Sequence, residues 1–167
     1  MNSENLDKLF LPQQPWLLRM VCPHSEVTDM LCSMQQQHSG SVLRFFRGKK
    51  MSTVQGMFDE FSAALQFPYY FGNNGNAFDE CLTDLSWLPA TSFALAILDS
   101  ADLLAKEPTQ LPLFISSFER ACAQWSTPIA LGESWDRPAV SFHLIFHYIE
   151  EDTRRIPTEI AKIPDVI

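Results

Sequence analysis

The sequence predicts an α/β fold: a small, mainly parallel sheet packed with helices. Short apolar segments rich in strand-forming residues recur along the chain, and stretches with apolar residues at helical spacing lie between them. One segment, Ser92 to Asp99 (SFALAILD), is a continuous apolar run bounded by polar residues, the mark of a strand buried on both faces. Strands and helices that alternate in this way pair in parallel through crossover helices.

Each element has its own signal. Trp16 to Val21, WLLRMV, reads as the first strand. Val27, Met30, Leu31 and Met34 then share one helical face, with Ser25 as the expected N-cap, and HSGS breaks that helix. Ser41 to Gly48, SVLRFFRG, is the second strand. In the next helix Ser52 or Thr53 supplies the cap, Val54, Met57, Phe58, Phe61 and Leu65 form the apolar stripe, and Pro68 stops it. After the Ser92 strand comes QLPLFISSFERACAQW, an amphipathic helix with Leu113, Phe114, Phe118, Ala121 and Cys122 facing inward. Val140 to Ile149 is the last strand, and the proline-containing tail beyond it reads as an irregular extension. The implied division is a strand–helix extension over 1–40, a central domain over 41–149 and a tail over 150–167.

The totals bound the function. A chain of 167 residues with 46% apolar content suits one domain with a sizeable core. Twelve Lys and Arg stand against 20 Asp and Glu, a net charge of −8, which argues against direct nucleic-acid binding and fits a basic partner. The four cysteines show no C-x-x-C pair and no histidine at a ligand spacing. Two disulfides are arithmetically allowed, but buried free thiols in a reducing cytoplasm are the preferred reading. The polar start MNSENLDKLF has no leader character, and no apolar run approaches the ~20 residues that span a bilayer. No G-x-S-x-G elbow, phosphate loop or dinucleotide fingerprint occurs, so no catalytic residue and no cofactor is expected.

The stretch FGNNGNAFDECLTDLSWLP, residues 71 to 89, is the most informative. Placed on a helix over 76 to 86, Phe78, Cys81, Leu82 and Leu85 gather on one face, while Asn76, Asp79, Glu80, Thr83 and Asp84 cover the other. The glycines and asparagines before it permit tight turns, and Asn74 or Asn76 can cap the helix. An acidic face of this kind is either an ordinary solvated surface or a surface that is bound.

The order of residues from Phe67 to Trp87 resembles the barstar family of ribonuclease inhibitors. Pro68, Tyr70, Gly72, Asn74, Ala77, Cys81, Leu82 and Thr83 stand at matching positions, with Trp87 slightly displaced. Segments over residues 41 to 149 fit the rest of that fold. The resemblance implies a barstar-like layered fold on a three-stranded parallel sheet and a function without catalysis. It further implies that the helix and its leading loop enter a basic ribonuclease site, with carboxylates standing where substrate phosphates would lie. Tyr70, Asn74, Asn76, Asp79, Glu80, Thr83 and Asp84 are the partner-binding residues so implied, Glu80 first among them. Four positions depart from the family pattern. Glu80 replaces an aspartate, Asn76 replaces another, Asp79 stands for a tryptophan, and Arg120 aligns with an acidic residue. The segment before residue 41 has no counterpart in the family and could add a strand and a helix to the sheet.

Other features have plainer readings beside a functional one. His143 and His147 share a strand face, either as buried satisfied histidines or as part of a metal site that lacks further placed ligands. Trp135 in GESWDRP either packs over the sheet or anchors a partner. Against an inhibitor or immunity protein stand two rivals: a protein-interaction domain on the same fold that binds no nuclease, and an enzyme of the α/β class.

Overall fold

The computed structural model describes Leu6 and residues 8–166. The leader reading rests largely on Met1–Asn5 and Asp7, which lie outside them. Four strands, β1 (Leu17–Val21), β2 (Ser41–Arg47), β3 (Ser92–Leu98) and β4 (Ser141–Tyr148), form one sheet in the order β1-β4-β3-β2. The sheet thus has one strand more than the three that the resemblance implies, because β1 of the N-terminal extension pairs with β4. All pairs are parallel, with Leu17 opposite Leu144, Ser41 opposite Ser92, and Ser92 opposite Ser141. β3 and β4 lie inside the sheet, which is why β3 reads as an unbroken apolar run; all but Leu98 of β3 and every residue of β4 are buried, Ser141, His143 and His147 included.

Helices cover both faces. On one side α1 (His24–Gln37) lays Val27, Leu31 and Met34 against Leu18, Met20, Ala94, Ala96 and Ile145. On the other, α2 (Val54–Leu65), α3 (Gly75–Asp84) and α4 (Leu111–Trp125) bury an aromatic core. Phe61 is its centre, with its ring 4.0 Å from Phe46 and 5.4–5.8 Å from Phe78, Phe118 and Phe114.

Local chemistry sets the helix ends. Thr53 caps α2, its hydroxyl accepting from the Gly56 N–H at 3.2 Å. Gln66 then turns left-handed at φ 54° and the helix stops ahead of Pro68. α1 begins one residue before the expected cap. Pro23, at φ −61° and ψ 150°, is the N-cap, and its carbonyl takes the Val27 N–H at 3.2 Å, so Ser25 lies inside the first turn. In α4 the inward row is Leu111, Phe114, Phe118, Ala121, Cys122 and Trp125. Leu113, expected among them, is 64% exposed, because it sits about 100° round the helix from Phe114.

The tail is more ordered than the sequence implied. After a 3-10 turn (Glu150–Arg155) and a short helix, α5 (Thr158–Ala161), it runs along the outer edge of β1. The Arg19 N–H donates to the Pro164 carbonyl at 2.9 Å, and the Val166 N–H donates to the Arg19 carbonyl at 2.8 Å. The Arg19 guanidinium clamps Asp165 at 2.6 and 2.7 Å. At the opposite edge, side chains blunt β2: Gln35 donates to the Ser41 carbonyl, Arg44 to the Leu43 carbonyl, and Glu60 accepts the Arg47 N–H.

His143 and His147 face α1 and are 1% and 0% exposed. His143 lies 2.9 Å from the Ser141 hydroxyl and donates to the Gln13 carbonyl at 3.1 Å, so both ring nitrogens have protein partners. His147 donates to the Cys22 carbonyl at 2.8 Å. Burial pushes both histidines below their ordinary pKa. The unfolded chain therefore binds protons that the fold excludes. The stability this contributes is complete above the unfolded value, about 6.5, and is lost as pH falls from there toward the folded values. The slope should approach about 1.4 kcal/mol per pH unit for each histidine. Urea melts at pH 7.5, 6.5 and 5.5 test this, and equal stability at all three would contradict it.

Candidate partner-binding face

The loop after α2 presents its aromatics to solvent. Tyr69 and Tyr70 are 100% and 68% exposed, with their rings 5.6 Å apart. Asn73 adopts φ 48°, and Asn74 closes the turn. The Asn74 side-chain oxygen accepts the Ala77 N–H at 3.0 Å, and its amide donates to the Gly72 carbonyl at 3.2 Å. Asn74 is therefore the cap of α3, and its side chain is occupied in holding the loop.

α3 is fixed from beneath. Phe78, Cys81, Leu82 and Leu85 are buried, and the Trp125 indole donates to the Leu82 carbonyl at 2.8 Å. Leu85, the last of the expected helix face, instead turns left-handed at φ 43° and ends the helix. A helix seated this firmly presents its outer residues with little ordering left to lose on binding.

The outer residues divide into two groups. Asn76, Glu80 and Asp84 are exposed and stand four apart, so they form one stripe along the helix. Asp79 points elsewhere: it is half-buried and paired with Arg120 of α4, and its Oδ1 is buried without a hydrogen-bond partner. The Thr83 hydroxyl donates back to the Asp79 and Glu80 carbonyls at 2.9 and 3.1 Å. The structure thus brings Tyr70, Asn76, Glu80 and Asp84 out to solvent, uses Asn74 and Thr83 locally, and neutralises Asp79. Sequence reasoning read Arg120 only as a reversed charge. Its pairing with Asp79 depends on α4 packing beside α3, which spacing within either helix does not reveal.

The four cysteines are free, three of them buried and Cys32 exposed. The Cys81 thiol lies under the acidic stripe, and burial, then the Asp84 and Glu80 carboxylates, raise its pKa. Thiol reagents should label Cys32 quickly and Cys81 slowly in the folded protein, by mass spectrometry of digested samples. Equal labelling of the two would mean that α3 does not sit on the core as described.

Among the described residues no helix is long and apolar enough to cross a membrane, and no group of three or more His, Cys, Asp or Glu is placed to hold a metal. A search of curated proteins found no match. A family model does match, over residues 42–147, a span that contains β3, all but one residue each of β2 and β4, the Tyr70 loop and the capped acidic helix. The chain belongs to the family described as Barstar (barnase inhibitor).

Proposed function

We propose that this protein is a cytoplasmic inhibitor or immunity protein that binds a basic ribonuclease or a related toxin and blocks its active site with α3 and the Tyr70 loop. The observation that carries the reading is Glu80: an exposed carboxylate, mid-helix, on a capped and firmly packed helix, in a chain of the barnase-inhibitor family. A ribonuclease site concentrates positive charge for a phosphodiester. A preplaced carboxylate meets that charge through strong charge-assisted hydrogen bonds. No catalytic role is assigned to any residue. Residues 41–149 carry the binding function, with 1–40 and 150–167 as additions around it.

Association should be electrostatically steered, because the chain carries −8 and its stripe is acidic. Screening acts over about 10 Å at 0.1 M salt. Stopped-flow mixing with a small basic ribonuclease should show inhibition whose on-rate falls as salt rises. A salt-independent on-rate would count against the acidic face as the docking surface.

One observation favours a second reading, a protein-interaction domain that binds no nuclease. Arg120 takes up the charge of Asp79, so the face is less acidic than its sequence. Absence of inhibition across a panel of basic ribonucleases, barnase among them, would favour this alternative.

A further inference from the structure

α4 supplies a second row of residues beside the acidic stripe. Leu113, Ser117 and Arg120 stand three or four residues apart, so they share one side of that helix. The shared side faces α3. Leu113 and Ser117 line a cavity with Asn74, Gly75 and Phe78, and the Arg120 guanidinium donates to Asp79 and, at 3.3 Å, to the Ser117 hydroxyl. The neighbouring acid on α4, Glu119, lies about 100° round the helix. It lines a different cavity, with Trp16 and Lys162, and so turns away from α3.

The Asp79–Arg120 pair is lopsided. The Asp79 side chain is 34% exposed, with Oδ1 buried, whereas that of Arg120 is 61% exposed. Nη2 serves both Asp79 and Ser117, and among the described residues Nε and Nη1 make no hydrogen bond. A partner approaching α3 thus meets carboxylates at Glu80 and Asp84 and, on the flank, a guanidinium with N–H donors to spare. The charge on this face is patterned rather than uniform. Packed helix axes lie about 8–10 Å apart, and salt at 0.1 M screens over about 10 Å. Arg120 therefore acts on whatever cations meet the stripe.

We propose that Arg120 sets partner specificity: it admits a basic ribonuclease that carries an Asp or Glu beside its cationic site and rejects one whose site is basic throughout. The inference rests on the reading of α3 as the partner-facing helix. A partner carboxylate opposite Arg120 takes up the free N–H donors in charge-assisted hydrogen bonds. A partner Lys or Arg there meets a like charge as water is excluded, and such repulsion discriminates between partners as well as attraction does. A purely structural role for Arg120, tying α4 to α3 through Asp79, predicts the opposite sign. Its removal would then loosen α3 and weaken every partner.

The test uses barnase as the probe, beside a set of charge-reversed barnases in which each exposed Lys or Arg outside the active site is changed singly to Glu. Titration calorimetry compares wild type with Arg120→Gln and Arg120→Lys. Arg154→Gln, at an exposed site in the 3-10 turn after β4, controls for net charge alone. Thermal melts verify that each variant is folded. At least one charge-reversed barnase should bind wild type about tenfold more tightly than barnase does. That gain should vanish with Arg120→Gln and survive with Arg120→Lys, which keeps the cation. Arg120→Gln should also bind unaltered barnase more tightly than Arg154→Gln does. The proposal is overturned if Arg120→Gln weakens binding or merely matches Arg154→Gln, if no charge-reversed barnase shows a gain that depends on Arg120, or if no form binds barnase at all. Glu80→Ala separates this idea from the reading it rests on. If that variant loses barnase binding while Arg120→Gln behaves as Arg154→Gln does, the specificity role is wrong and the helix right. If Glu80→Ala binds barnase as tightly as wild type, the reading of α3 is the one that fails, and the proposal falls with it.

Discussion

Glu80→Ala is expected to weaken binding to the basic partner by about 2–5 kcal/mol, because it leaves the partner's desolvated cations unpaired. Glu80 is exposed, and no hydrogen bond of its side chain occurs among the described residues, so thermal unfolding should barely change. Asp84→Ala, at the end of the stripe, should lose only about 0–1 kcal/mol, since its charge stays near water. Glu80→Asp shortens the reach by one methylene and asks whether the partner's pocket suits the longer acid. Titration calorimetry or inhibition assays on the three variants, beside thermal melts, decide the matter. A Glu80→Ala variant as tight as wild type would mean that the stripe is not the binding face.

Phe61→Ala should damage the fold itself rather than the binding face. Phe61 is fully buried, and four phenylalanine rings pack around it from β2, α3 and α4. Truncation removes the transfer free energy of the ring and leaves a cavity that stiff neighbours cannot close, a loss of about 3–5 kcal/mol. A domain of ordinary stability has about 5–15 kcal/mol in all. Guanidinium unfolding should show a lower midpoint with an unchanged slope, and α3 should lose its seat along with the core. A loss under about 1 kcal/mol would mean that the rings do not interlock as described.

Much of this architecture was legible from residue patterns. The stripe Val54, Met57, Phe58, Phe61, Leu65 and the unbroken run of β3 both reported burial directly, since spacing alone decides which residues share a face. Asn74 and Thr53 announced their helix starts through cap chemistry, which is local. The misses needed information from elsewhere in the chain. Ser25 looked like a cap as good as any, yet Pro23 already held the extended geometry that a cap requires. Leu113 is apolar but lies off the buried arc of its helix. The ordered course of the tail depends on the free edge of β1, and the neutralisation of Asp79 on Arg120 in another helix. The stripe of Asn76, Glu80 and Asp84 could be seen in the sequence; which of the acids keeps its charge available could not.

The tail clasped along β1 bears on the order in which this molecule assembles. β2, β3 and β4 can pair as the chain runs on from one to the next, each joined to its neighbour by helices that pack on the same side. β1 has to wait, because Leu17 meets its partner only at Leu144. Closing so long a loop is slow for entropic reasons. Until the segment around Asp165 arrives, a docked β1 would still offer one bare edge to other chains. The final clasp therefore acts as a latch on an assembly that is otherwise complete, and the last event of folding should be the one that shields it from its neighbours.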